Sequence, residues 1–205
     1  MELLQAHGGC RVCGREPADH HLDGEGPLCD GCVDERIAAA TGMPRLPDAP
    51  PSVVIFGADG RRHVLRYRIW RAPTGISVRL REDGVPVGEG FEFAVLGEHD
   101  ADVVRLAARV RADAEAEIGR CYLESDPGTA GWRLAGDEAA GRLEGDPAGG
   151  PVQVVVDGRV LTWDELGEAL ASFEGWRFRL TIESSMVDVR SEVTKARFGI
   201  TDPSV

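Results

Sequence analysis

The chain has 205 residues, 42% hydrophobic and 28% charged, the proportions of an ordinary globular protein. No run approaches the roughly eighteen apolar residues that a membrane span needs, which excludes a transmembrane reading. Basic residues number 23 against 35 acidic, a net charge of -12, so the surface as a whole repels a polyanion. The start of the sequence lacks the basic and apolar regions of a secretory signal, so the expected location is cytoplasmic and the cysteines are expected as reduced thiols or metal ligands.

The head, residues 1–40, carries Cys10-x-x-Cys13 and Cys29-x-x-Cys32 with fifteen residues between the pairs. This spacing lets four thiolates converge on one tetrahedral ion, and zinc is the expected metal. Gly14 after the first pair and Gly31 within the second suit tight turns whose amides donate to sulfur. A head this short holds too small a hydrophobic core, so one structural zinc is predicted on Cys10, Cys13, Cys29 and Cys32. Four protein ligands leave no open position for water or substrate. His20 and His21 fall between the pairs and read as solvated loop residues or an occasional alternative ligand.

Residues 41–51 hold four prolines and read as a linker, because proline fixes φ and removes a backbone donor. A unit at 52–124 follows. Leu65, Tyr67 and Ile69 alternate with Arg66, Arg68 and Trp70, and Ile76, Val78 and Leu80 with Ser77, Arg79 and Arg81; both stretches predict half-buried strands. Phe91, Phe93 and Val95 predict a third, and Val53–Phe56 a further one, giving an antiparallel meander. From Asp100 the period lengthens: Val103, Leu106, Ala107, Val110, Ala114, Ile118 and Cys121 predict one helix of about twenty residues, capped by Asp100, covering the sheet. Cys121 then sits on its inner face as a small hydrophobe.

Residues 125–183 form a third predicted unit with a loose glycine- and proline-rich entry in which Trp132–Leu134 and Gly141–Glu144 are short strands. Val152–Val156, Asp157-Gly158 and Arg159–Leu161 predict a hairpin. Thr162-x-x-Glu165 is a capping box opening a helix with Leu166, Ala169, Leu170 and Phe173 inside. Gly175 ends it, and Trp176, Phe178, Leu180 and Ile182, alternating with Arg177, Arg179, Thr181 and Glu183, predict a closing strand. Residues 184–205 are a tail. The fold class is therefore α+β: an N-terminal zinc ribbon followed by two small antiparallel sheet-plus-helix units.

Seven arginines and no acid lie between residues 61 and 81. Alternation gathers Arg66, Arg68, Arg79 and Arg81, with Trp70, on one sheet face, a surface for phosphates and a stacked base unless nearby acids neutralise it. No phosphate-binding glycine loop and no G-x-S-x-G elbow is present. Asp164 and Glu165, which invite an acid–base reading, are explained by capping.

The CRVCG and LCDGC knuckles around Asp19-His20-His21 resemble the outline of HNH endonucleases, a resemblance that implies a catalytic metal. The departures are that Val33, Asp34 and Glu35 stand where that family's metal-binding histidine follows the last knuckle, that too few residues separate His21 from Leu28-Cys29 for that family's usual hairpin, and that the chain contains no asparagine. The whole arrangement, most specifically Val154–Glu183, resembles uncharacterised bacterial zinc-ribbon proteins with a C-terminal module of unknown function, which implies a bacterial cytosolic protein and brings no activity. The function expected is a non-enzymatic zinc-containing binding or adaptor protein with a protein partner; the alternative is a nucleic-acid-binding accessory protein using the arginine face.

Overall fold

A computed structural model of the chain describes residues 9–14, 18, 20–22, 24, 26–128, 131–146, 148–184 and 186–188. The architecture is α+β, with sheets of almost wholly antiparallel strands. In the head, His20–Leu22 (β1) and Gly26–Leu28 (β2) form a short hairpin that leads into a helix, Asp30–Thr41 (α1). That helix has no apolar periodicity to announce it: its only fully buried residues are Cys32 and Asp34. His20 and His21 lie in β1 rather than in a loop, paired with Leu28 and Pro27.

The central sheet contains Val53–Phe56 (β3), Arg62–Ala72 (β4), Gly75–Glu82 (β5) and Glu92–Gly97 (β6) as an antiparallel meander. Met186–Asp188 adds a fifth strand, parallel to β6. Leu65, Tyr67, Ile69, Ile76, Val78, Leu80 and Val95 are buried against Val103, Leu106, Ala107, Val110, Ala114 and Ile118 of the helix Val103–Ile118 (α2). Strand period and helix period thus meet in one core. Gly75 turns β4 into β5 with φ of 149°, and a Cβ there would collide with the Gly97 carbonyl. On the opposite sheet face, α1 packs on β4.

Two expectations for α2 are corrected. Asp102 is the N-cap, its carboxylate accepting from the amides of Val104 at 2.9 Å and Arg105 at 3.4 Å, so Asp100 lies outside. The helix stops at Ile118 with Gly119 as its C-cap, which leaves Cys121 beyond it and exposed rather than on the inner face.

Leu123–Ser125 (β7) and Trp132–Leu134 (β8) form a ribbon, and Arg142–Glu144 (β9), Gln153–Val156 (β10) and Arg159–Leu161 (β11) form a sheet in the order β11-β10-β9. Asp157 and Gly158, at φ of 50° and 71°, make the two-residue turn expected of that dipeptide. The helix Trp163–Ala169 (α3) opens with the predicted capping box. Leu170, expected inside, is 41% exposed, because α3 ends at Ala169. The closing strand expected at Trp176–Glu183 pairs with no described strand. After Gly175, at φ of 85°, every residue of the segment stays exposed.

Arg142 joins this unit to the central one by donating to the Gly90 carbonyl at 2.6 Å and the Gly88 carbonyl at 2.7 Å. The Asp157 carboxylate, accepting from the amides of Tyr122 at 2.9 Å and Leu123 at 2.8 Å, fixes the chain leaving α2. No helix among the described residues is long and apolar enough to cross a membrane.

Candidate metal centre

Cys10 and Cys13 sit on the turn ending at Gly14, whose amide donates to the Cys10 carbonyl at 2.7 Å and whose φ is 69°. Cys29 is the N-cap of α1 and Cys32 lies in its first turn, so Gly31 is helical rather than part of a second knuckle turn. The hairpin β1–β2 folds the two pairs together: the Arg11 amide donates to the Pro27 carbonyl at 3.0 Å. The four sulfurs lie within 4.8 Å of one another, and Cys13 and Cys29 Sγ are 3.6 Å apart. A tetrahedral ion with bonds of about 2.3 Å to sulfur spaces its ligands about 3.8 Å apart, which fits this cluster. None of the four is in a disulfide; Cys10, Cys29 and Cys32 are buried and Cys13 is partly exposed.

The sulfurs differ in proton affinity. The Cys13 amide, donating to Cys10, is the largest influence that lowers the Cys10 thiol to about 5. Burial is the main cause that pushes the thiols of Cys29 and Cys32 up. Several buried thiolates cannot ionise side by side unless a cation compensates them, and that is what a metal ion would supply.

The helix that completes the cluster is latched to the arginine face. Arg66 stands opposite Arg81, and Arg68 opposite Arg79, across β4 and β5, a like-charge juxtaposition that needs acids to offset it. Asp30 accepts both Nε and a terminal nitrogen of Arg68 at 2.8 Å and pairs with His20 Nε2 at 2.6 Å. Burial works against its ionisation, but Arg68 and His20 together hold the Asp30 carboxyl below its ordinary value. Glu92 Oε1 lies 3.2 Å from Arg79 and its Oε2 3.7 Å from Arg81, although neither Nε makes an aligned hydrogen bond. Arg81 also donates to the Pro86 carbonyl at 2.8 Å, and the Arg79 guanidinium lies 5.0 Å over the half-buried Trp70 ring. Arg66, the most open, pairs with Asp83 at 2.7 Å.

Beside this face, Arg71 donates to Asp34 at 2.7 Å, with side chains only 5% and 4% exposed. The second Asp34 oxygen accepts the Leu46 amide at 2.7 Å, and Arg71 reaches the Pro44 carbonyl. The proline-rich linker is therefore laced to α1 and β4. Asp30 and Asp34, four apart on one helix, face Arg68 and Arg71 on one strand. That complementarity is present in the sequence but invisible until residues 30–41 are known to be helical.

His63 is buried with Nδ1 2.7 Å from Glu82 Oε1, while Glu82 Oε2 accepts the Phe91 amide at 3.0 Å. It borders a cavity of about 260 Å³ shared with Asp59, Arg61, Cys121 and Asp157. Burial, then the charges of Asp157 and Asp59, push the Cys121 thiol up, which disfavours a thiolate nucleophile. Glu165 is engaged in capping, its carboxylate accepting the Thr162 amide at 2.7 Å and hydroxyl at 2.9 Å.

Fold and cluster together define an α+β protein whose N-terminal head carries a four-cysteine site able to hold a metal ion. Residues 47–119 match the family model of a domain of unknown function, DUF7686, and residues 122–185 that of another, DUF7713. No curated protein and no solved structure matches the chain.

Proposed function

We propose that this is a non-enzymatic, zinc-containing binding or adaptor protein of the cytoplasm, with a protein partner. Zinc is the ion that four thiolates at this spacing select, held by Cys10, Cys13, Cys29 and Cys32 as a closed structural site. The observation that carries the reading is the use of the helix stapled by the cluster. Asp30 occupies Arg68 and Asp34 occupies Arg71. Asp83 and Glu92 meet the remaining members of the arginine face. A face engaged in this way offers few free donors to a phosphate backbone. A nuclease reading is disfavoured on the same ground, since the acids of the last knuckle are bound to arginines.

The test is a filter-binding titration of the zinc-loaded chain with DNA and RNA, alongside the R66E/R68E/R79E/R81E variant, after metal analysis has found one zinc per chain. The expected result is no tight complex at physiological salt. Tight binding by the wild type that falls steeply with salt and vanishes in the variant would overturn the reading and install the nucleic-acid alternative. Turnover of a nucleic-acid substrate would overturn its non-enzymatic part.

A further inference from the structure

Residues 176–183 are a strand in sequence that pairs with no described strand. Trp176, Phe178, Leu180 and Ile182, the alternate positions of the segment, are 66%, 91%, 66% and 70% exposed. The match to the domain of unknown function runs to residue 185, so the segment belongs to that unit. A long apolar strand with open backbone groups is a template for pairing with another chain. From its charge and apolar pattern we propose that it pairs antiparallel with the same segment of a second copy, in the register centred on Leu180.

Self-complementarity selects this occupant. An antiparallel homotypic pair is two-fold symmetric, so each contact occurs twice except the one on the axis. Centring on Leu180 sets Leu180 against Leu180, Phe178 against Ile182, and Arg177 against Glu183 in both copies. All apolar side chains then share one face of the ribbon and both ion pairs the other. Centring on Arg179 would oppose two guanidinium groups. Centring on Thr181 would keep an ion pair, Arg179 with Glu183, but face Phe178, the most exposed side chain, with Ser184, where the register on Leu180 sets only the less exposed Trp176. Any shift by one residue opposes apolar to polar positions along the whole strand. An isolated two-stranded ribbon is marginal in water, so the dimer should dissociate on dilution.

Sedimentation equilibrium of the zinc-loaded full chain across a concentration series tests this. A reversible rise toward twice the 22.0 kDa chain mass is expected. Arg177→Glu or Glu183→Arg alone should weaken association about ten-fold, since two attractive cross-strand pairs become repulsive. The double exchange R177E/E183R should restore it. In a Cys121→Ser background, Leu180→Cys should cross-link two chains on mild oxidation and Thr181→Cys should not. Circular dichroism and zinc content, unchanged for substitutions in an exposed segment, verify folding. A monomer at every concentration overturns the proposal. So does a dimer indifferent to both single charge reversals, or one that cross-links through position 181 in preference to 180.

Discussion

The single most consequential side-chain pair outside the cysteines is Asp34 with Arg71. Both are almost wholly buried, and Asp34 uses its second oxygen on the Leu46 amide. Breaking a buried pair by removing one partner strands the other charge, typically at about 3–5 kcal/mol. Asp34→Ala should lower the urea midpoint accordingly, whereas Asp113→Ala, which removes an exposed partner of Arg109 on α2, should cost about 0.5 kcal/mol. Equal effects would contradict the buried latch. Asp30 sets a pH dependence. Its carboxyl is held below the ordinary value of 3.8, so its contribution is fully present above that value and is lost as pH falls through the lower folded value. Thiolate protonation acts alike on wild type and Asp30→Asn. In a His20→Gln background, which removes the imidazole facing Asp30, the stability difference between them should therefore stay flat above roughly pH 4 and shrink only below it; a difference that vanishes near neutrality there would refute the assignment.

At the scale of elements, local chemistry that closes within a few residues was legible. The Thr162–Glu165 capping box, the Asp157-Gly158 turn and the alternating strands β4 and β5 all form as the residues dictate. Thr162→Ala should reduce stability by about 1 kcal/mol, read from thermal unfolding, and no change would show that α3 is held by packing alone. Elements whose reason lies elsewhere in the chain were not legible. Helix α1 buries an acid and a cysteine instead of an apolar stripe. It becomes visible only once the cluster and Arg71 are in place. The segment 176–183 fails in the opposite sense: its alternation is strong, yet strand formation needs an edge, and no described strand supplies one. Asp100 and Asp102 were equally plausible caps by type, and only the Asp102 carboxylate's bonds to the Val104 and Arg105 amides separate them.

For the molecule as a whole, the head has few apolar residues, and among its described residues the buried set is largely the four-cysteine neighbourhood itself. On the proposed reading metal coordination would take the place of a core there, while the central sheet and α2 keep an apolar core of their own. The proposed consequence is a hierarchy: a bound ion would order α1, while α1 presents Asp30 and Asp34 and these two acids hold Arg68 and Arg71 in place. The measurement that tests this most directly is amide hydrogen exchange of the full chain before and after zinc is stripped by a chelator under reducing conditions. Protection in residues 26–41 should collapse on stripping while residues 62–82 and 103–118 stay protected, and it should return with one equivalent of zinc. A stripped chain whose α1 exchanges as slowly as in the loaded protein would contradict the account.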